Sequence, residues 1–459
     1  MPGAPSVLED VHRSCAEVAA LHREHVSIDD AALEALADEL VAAAEDVRCA
    51  VRGLPLPIRF SSLEQELTLL ALFHLLDFGS GYLAAPEARR QSGGRQWREA
   101  LLYGLLGLHL GGTRLDSHKL KSFSMYDLTQ VFGLDATVEV PVMPGVTMSK
   151  PGPLQPLCKS LLAALNDTGA QLAEGGHKSL GGQLMAMGEE LRKAGRTSAS
   201  AFVEELVDTL PAFRDSVLYD GRTLTLARRA QNLAADLAIV YGSRTGEGQG
   251  EGGGGGRFAF PDVDQLAADS GPTTIAALRA KGVLKVVDPD LAATLDSGAE
   301  LPAGPHERAL RAAAVVACDR LAAAANAKPG NGSSGSGGAG AAGAAGAGPG
   351  AAAEAGAGGG ESKAAESGAG GTEPATTTAA PAPEASASGS AAGGGGGGDG
   401  GGDGGGSSKE PAVTAAATAA AAAPIRPVDV GAYLAYLCEP GRELEGRARP
   451  HVTLGVTAY

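Results

Sequence analysis

The residues of this chain whose types and spacing could do chemistry are cations, carboxylates and aromatics in two short stretches. The first is Leu206–Asp236, LVDTLPAFRDSVLYDGRTLTLARRAQNLAAD. It holds a Pro-aromatic-Arg-Asp break, a polar turn at Asp220-Gly221, and a helical run with Arg228, Arg229, Gln231 and Asp236. Such a set can hold a phosphate. A charged outer face on an ordinary amphipathic helix has the same composition. The apolar neighbours Leu233, Ala234, Ala235, Leu237, Ala238 and Ile239 weigh against that reading, because an acid among them needs a partner.

The second stretch is Asp77-Phe78-Gly79-Ser80-Gly81-Tyr82, at the end of an apolar run. As a ligand-facing turn it would stack an aromatic on a base and bond the base edge through Asp77 or Ser80. A tight helix stop with Phe78 and Tyr82 in the core accounts for the same residues.

Composition narrows the chemistry. A net charge of −16 excludes a general nucleic-acid binder, though not a local basic cluster for one phosphate. The nine histidines form no HExxH and no His-x-His pair, so no metal site is expected. There is no GxSxG, and the Gly-Ser-Gly of Gly79–Gly81 follows a helix, not a strand. The glycines of 246–256 lack the GK[ST] of a phosphate loop. Five separated cysteines, without a CxxC pair, suggest reduced thiols. The N-terminus has no basic n-region with an apolar run, and the longest apolar stretch, near Leu67–Leu76, is too short to span a membrane. A cytoplasmic protein is expected.

The elements that must position these residues are helices. Residues 6–24 put Val7, Val11, Cys15, Val18 and Leu21 on one face, and Ile28-Asp29-Asp30 gives an N-cap signal for the run that follows. Ser61 or Ser62 caps a buried helix that ends at Asp77. Further helices are expected at 96–110, 124–132, 157–174, 179–194, 198–210, 224–241, 274–281, 289–295, 307–325 and 428–437. A small hairpin is expected around Asp220-Gly221, with short strand character in 136–142. From Lys328 to Pro424 the chain is almost wholly Gly, Ala, Ser, Thr, Pro and a few acids, which cannot bury enough apolar surface to order itself. The expected organisation is therefore all-α: a helical domain over 1–327, a disordered insertion over 328–424, and a segment over 425–459 that docks back on the helical domain. Long insertions cost little closure entropy.

In order along the chain, DFGSGY, PGVTMSKPGPL, LNDTG, PAFRD, YDGRTLTLARRAQNLAAD and FPDVDQL resemble the motifs of the queuosine salvage protein family, the queuosine 5′-phosphate N-glycosidases. The resemblance covers nearly all of 25–325 and the last thirty residues. It implies a fold like the helical DNA glycosylases, hydrolysis of queuosine 5′-phosphate to free queuine for tRNA, and no metal or organic cofactor. It implies a small nucleotide substrate, with no direct nucleic-acid or membrane partner. By resemblance Arg228 takes the place of the family's phosphate-holding Lys, with Gln231 and Asp236 following it. Asp77 and Phe78 take the base-side turn, with Ser80 and Tyr82 beside them as further substrate contacts. The family's catalytic carboxylate follows the FPDVDQL region in a Phe-Ala-Asp pattern. Counted without gaps from Leu266 that position is Gly271, and a shift of two residues makes Asp269 the catalytic carboxylate. The adjacent family Arg has no counterpart, and Leu454 stands where an Arg is expected near the C-terminus, between His451 and Tyr459. Two other functions fit the same residues: a weakened paralogue that binds a nucleotide or acts on another nucleoside phosphate, and a non-enzymatic helical scaffold.

Overall fold

The computed structural model describes residues 5–48, 53–54, 58–219, 221–242, 256–328, 423–439 and 441–453. Nearly all of the expected insertion over 328–424 lies outside these, as do most of the glycine-rich 246–256, Cys49, Asp220, Leu454 and Tyr459.

The described chain is mostly helical, with three two-stranded antiparallel ladders. Capping follows the sequence closely. Asp29, Ser62, Ser124, Ser179 and Ser198 each accept an amide of the first turn of the helix they precede. The hairpin Ser216–Tyr219/Arg222–Thr225 forms as expected, and 137–143 pairs with 146–151. The third ladder, Val26–Ile28 with Leu284–Val286, joins segments too far apart in sequence for a local signal.

One boundary differs by a whole helical turn. The helix expected over 224–241 starts only at Arg228, because Leu224 and Thr225 belong to the hairpin and Ala227 has a φ of 45°. A left-handed alanine is strained. It is held by the Asp215 carbonyl, which accepts the amides of Leu226 and Ala227 at 2.9 and 3.0 Å. The Asp215 carboxylate is in turn buried against Arg311 at 2.6 Å.

Two apolar cores meet near the candidate residues. The first surrounds the Leu63–Leu76 helix, whose residues from Leu67 to Leu76 are all buried. The second lies among the helices Asp30–Ala42, Pro305–Ala327 and Pro427–Leu437. The segment before Asp269 crosses between them: Leu266 and Ala267 belong to the first and Ala268 to the second. The Pro427–Leu437 helix packs so closely on this segment that a Cβ on Gly431 would lie 3.0 Å from the Asp269 nitrogen. Asn326 pairs with the Ile425 backbone through both its amide atoms, and Thr453 donates its backbone amide to the Gly81 carbonyl at 3.2 Å. No described helix is long and apolar enough to cross a membrane. Cys15, Cys158, Cys318 and Cys438 are free thiols.

His451 gives the fold a pH dependence. It is 3% exposed. Burial, with the charges of Arg279 and Arg311, pushes its imidazole from 6.5 down to about 4. As the pH falls from about 6.5 towards 4, the unfolded chain takes up a proton that the fold refuses, so stability is lost over that window, by about 3 kcal/mol. Urea unfolding at pH 7.5 and 4.5 should show a larger loss for the wild type than for His451→Gln. Equal losses would contradict this account of His451.

Candidate active site

The C-terminus of the buried Leu63–Leu76 helix explains why two arginines are buried nearby. Its last carbonyls have no partner within the helix and carry the negative end of its dipole. Trp97 Nε1 donates to the Leu76 carbonyl at 3.0 Å, Arg229 Nη1 to the Leu75 carbonyl at 2.6 Å, and Arg228 Nη2 to the Asp77 carbonyl. The Arg229 guanidinium also lies over the Phe78 ring, 5.1 Å from its centroid. Burial pushes its pKa down to about 10, so it stays cationic at neutral pH.

The glycines of Asp77–Tyr82 are packing requirements. A Cβ on Gly79 would come within 2.5 Å of the Trp97 ring, and one on Gly81 within 2.6 Å of the Thr453 methyl. Neither position has room for a side chain.

Beyond this helix end lies a narrow recess lined by Asp77, Phe78, Ser80, Arg98, Arg228 and Asp269, with Gly271–Thr274 and Ala435 closing its other sides. Its volume is about 20 Å³, room for roughly one water. Asp269 Oδ2 accepts from Arg228 Nη1 at 2.9 Å and from Asn232 Nδ2 at 3.1 Å, while Oδ1 accepts the Gly271 amide at 2.6 Å. Burial alone would raise this carboxyl. Arg228, Arg98 and the Gly271 amide outweigh it and hold Asp269 below the usual carboxylate range. Asp77 Oδ2 lies 3.6 Å from Arg228 Nη1 and 3.7 Å from Arg98 Nε. Arg98 stacks on Phe73 and is 44% exposed, whereas Arg228 is 5% exposed.

Gly271 shows what Asp269 occupies. A Cβ built there would lie 2.8 Å from Asp269 Oδ1 and 3.4 Å from Arg228 Nη1. The carboxylate of Asp269 thus fills the space into which a side chain at 271 would project.

The other residues singled out in the sequence lie off the recess wall. Gln231 is a buried strut: its Nε2 donates to the Leu226 carbonyl at 2.7 Å, and its Oε1 accepts the Ala267 amide at 2.8 Å. It ties the start of its own helix to the segment carrying Asp269. Asp236 is buried against His74 Nε2 at 2.9 Å, which supplies the partner its apolar surroundings require and joins two core helices. Tyr82 is buried in the first core. Two residues on or beside the recess were not read from the sequence. Asn232 stands one helical turn after Arg228, a spacing that could have been noticed. Arg98 sits in an otherwise ordinary helix, and only the packing of that helix on Phe73 brings it here. A larger cavity of about 510 Å³, lined by Arg48, Phe260 and Arg426 among others, has no carboxylate among the described residues of its wall.

Fold and site together define a mostly helical protein with an ionised, arginine-held carboxylate facing a narrow recess. Residues 111–335, just under half of the chain, match the family model described as queuosine salvage protein. A Sphaerobacter thermophilus protein named queuosine 5′-phosphate N-glycosylase/hydrolase is 32% identical over 167 residues. The aligned stretch is 36% of this chain and spans 46% of that relative's length. The family match contains Arg228, Gln231, Asp236 and Asp269, while Asp77, Phe78 and Arg98 precede it.

Proposed function

We propose that this chain hydrolyses the N-glycosidic bond of queuosine 5′-phosphate and releases queuine for tRNA queuosine salvage. The observation that carries the reading is the Asp269 carboxylate, ionised, facing the recess, and filling the side-chain space of position 271. Breaking a ribosyl C–N bond builds positive charge on the sugar. A carboxylate beside the anomeric carbon stabilises that cation or orients the attacking water. A carboxyl held below its usual range suits this role, and would not serve as a general acid at neutral pH.

On the base side, Phe78 offers a ring face and Asp77 and Ser80 offer polar atoms to the base edge. Gln231, Asp236 and Tyr82 act through position: they hold the walls without touching the substrate. Family resemblance assigns the 5′-phosphate to Arg228. The geometry supports a different division of labour. Both terminal nitrogens of Arg228 are engaged, by Asp269 and the Asp77 carbonyl. Arg98 presents a side chain that is 44% exposed at the same recess. Arg98 then takes the phosphate, and Arg228 fixes the charge and position of Asp269. The recess must widen to admit a nucleotide, since ligand sites generally enclose about 300 Å³ or more. The exposed Arg98 side chain is the wall element with room to move.

Kinetics on queuosine 5′-phosphate test this division. Arg98→Ala should raise KM by about tenfold, the loss of one charged hydrogen bond, with a smaller change in kcat. Arg228→Ala should mainly lower kcat. The reverse pattern would return the phosphate to Arg228. A second reading, a nucleotide binder that cleaves weakly, is favoured by the direct Arg228–Asp269 pair, which engages the carboxylate the reaction needs.

A further inference from the structure

Three residues outside the recess converge on one partly exposed point. His25 immediately precedes the Val26–Ile28 strand, Asp288 caps the Pro289–Ser297 helix, and His306 stands in the first turn of the Pro305–Ala327 helix. The strand pairing Val26↔Val286 brings the first two together, and Val287 donates its amide to the His25 carbonyl at 2.8 Å. His25 Nδ1 lies 2.8 Å from Asp288 Oδ2, His306 Nε2 lies 3.8 Å from the same oxygen, and the two rings are 4.7 Å apart. One donor atom from each residue falls within 4.8 Å of the other two.

The geometry points to a binding site for a late first-row divalent cation, such as zinc, formed by His25, Asp288 and His306. Two imidazoles and one carboxylate oxygen are a donor set that suits zinc, cobalt and nickel, whereas magnesium and calcium prefer oxygen alone. Ligand atoms around tetrahedral zinc are about 3.3 Å apart, so closing this set takes side-chain shifts on the order of 1 Å. Asp288 is already oriented: its Oδ1 accepts the amides of Asp290 and Leu291 at 2.9 and 3.2 Å, which leaves Oδ2 facing both imidazoles. If His25 binds through Nδ1, its Nε2 can donate to Glu24, whose Oε1 lies 3.5 Å away, as outer carboxylates do behind metal-bound histidines. His25 and His306 are 27% and 39% exposed, so an ion reaches them from solvent and a fourth position stays open to water. No sequence motif announces the set, because His25 and Asp288 are 263 residues apart. A bound ion would clamp the Val26–Ile28 strand, the start of the Pro289–Ser297 helix and the start of the Pro305–Ala327 helix to one another.

The test is titration of the full chain, with any tag removed and after dialysis against a chelator. Zinc is followed by calorimetry and cobalt(II) by its visible absorption. One equivalent should bind and raise the thermal midpoint. His306→Ala, at an exposed position, should weaken binding by at least about tenfold while leaving the circular dichroism unchanged, and His25→Gln should do the same. Absence of binding, or equal affinity and stoichiometry in both variants, overturns the site.

Discussion

On the proposed function, Asp269→Asn should lower queuine release from queuosine 5′-phosphate by about 10²- to 10³-fold, the usual cost of removing one preorganised electrostatic group from a transition state. The substitution keeps the shape but leaves one oxygen, which can accept from Arg228 or from the Gly271 amide and not from both, so the loss combines the charge with one hydrogen bond. Circular dichroism and the urea midpoint separate this from misfolding. The wild-type rate should not fall between pH 7 and pH 5 on account of Asp269. Its pKa is held below the ordinary carboxylate value, and ionisation is lost only as the pH drops through that lowered value. Gly271→Ala is a second probe of the same geometry. Gly271 has a φ of −74°, which alanine tolerates, yet the added methyl would meet Asp269 Oδ1 at 2.8 Å. A slower reaction with unchanged secondary structure is expected.

Arg311→Ala destabilises the fold by about 3–5 kcal/mol, the range for removing one partner of a buried ion pair. Arg311 and Asp215 have side chains 3% and 2% exposed, and Glu307 lies 3.8 Å from the same guanidinium. The alanine takes from the buried Asp215 carboxylate the guanidinium 2.6 Å away. The damage should extend to the recess, because Asp215 holds the left-handed Ala227 immediately before Arg228. Urea unfolding gives the stability. If uncompensated charge is the cause, the double variant Asp215→Asn/Arg311→Met loses less than Arg311→Met alone. A loss below about 1 kcal/mol for Arg311→Ala, the level of a surface pair, would contradict this account.

Much of the fold is legible because helices announce themselves locally. Ser62, Ser124, Ser179 and Ser198 cap where their hydroxyls precede an apolar run, and the period of 3.6 marks each buried face. What the sequence hides is non-local. The ladder between Val26–Ile28 and Leu284–Val286 has no local pattern, and it alone brings His25 to Asp288. The late start of the helix at Arg228 depends on Asp215 holding Ala227. The candidate site divides in the same way. Residue types and family motifs single out Arg228, Asp77 and Asp269, which the structure brings to one recess. Two facts could not be read from the sequence: that Arg228 and Arg229 cap the carbonyl end of another helix, and that Arg98 faces the same recess. The family pattern, counted without gaps, pointed to Gly271, and only three-dimensional packing shows the Asp269 carboxylate filling that space.

The central claim is tested most directly by incubating the purified full chain with queuosine 5′-phosphate and measuring free queuine and ribose 5-phosphate by chromatography. The account predicts equimolar release of both by the wild type, with release by Asp269→Asn reduced to a small residue. Tight binding of the nucleotide with no queuine released, or release undiminished in Asp269→Asn, would contradict it.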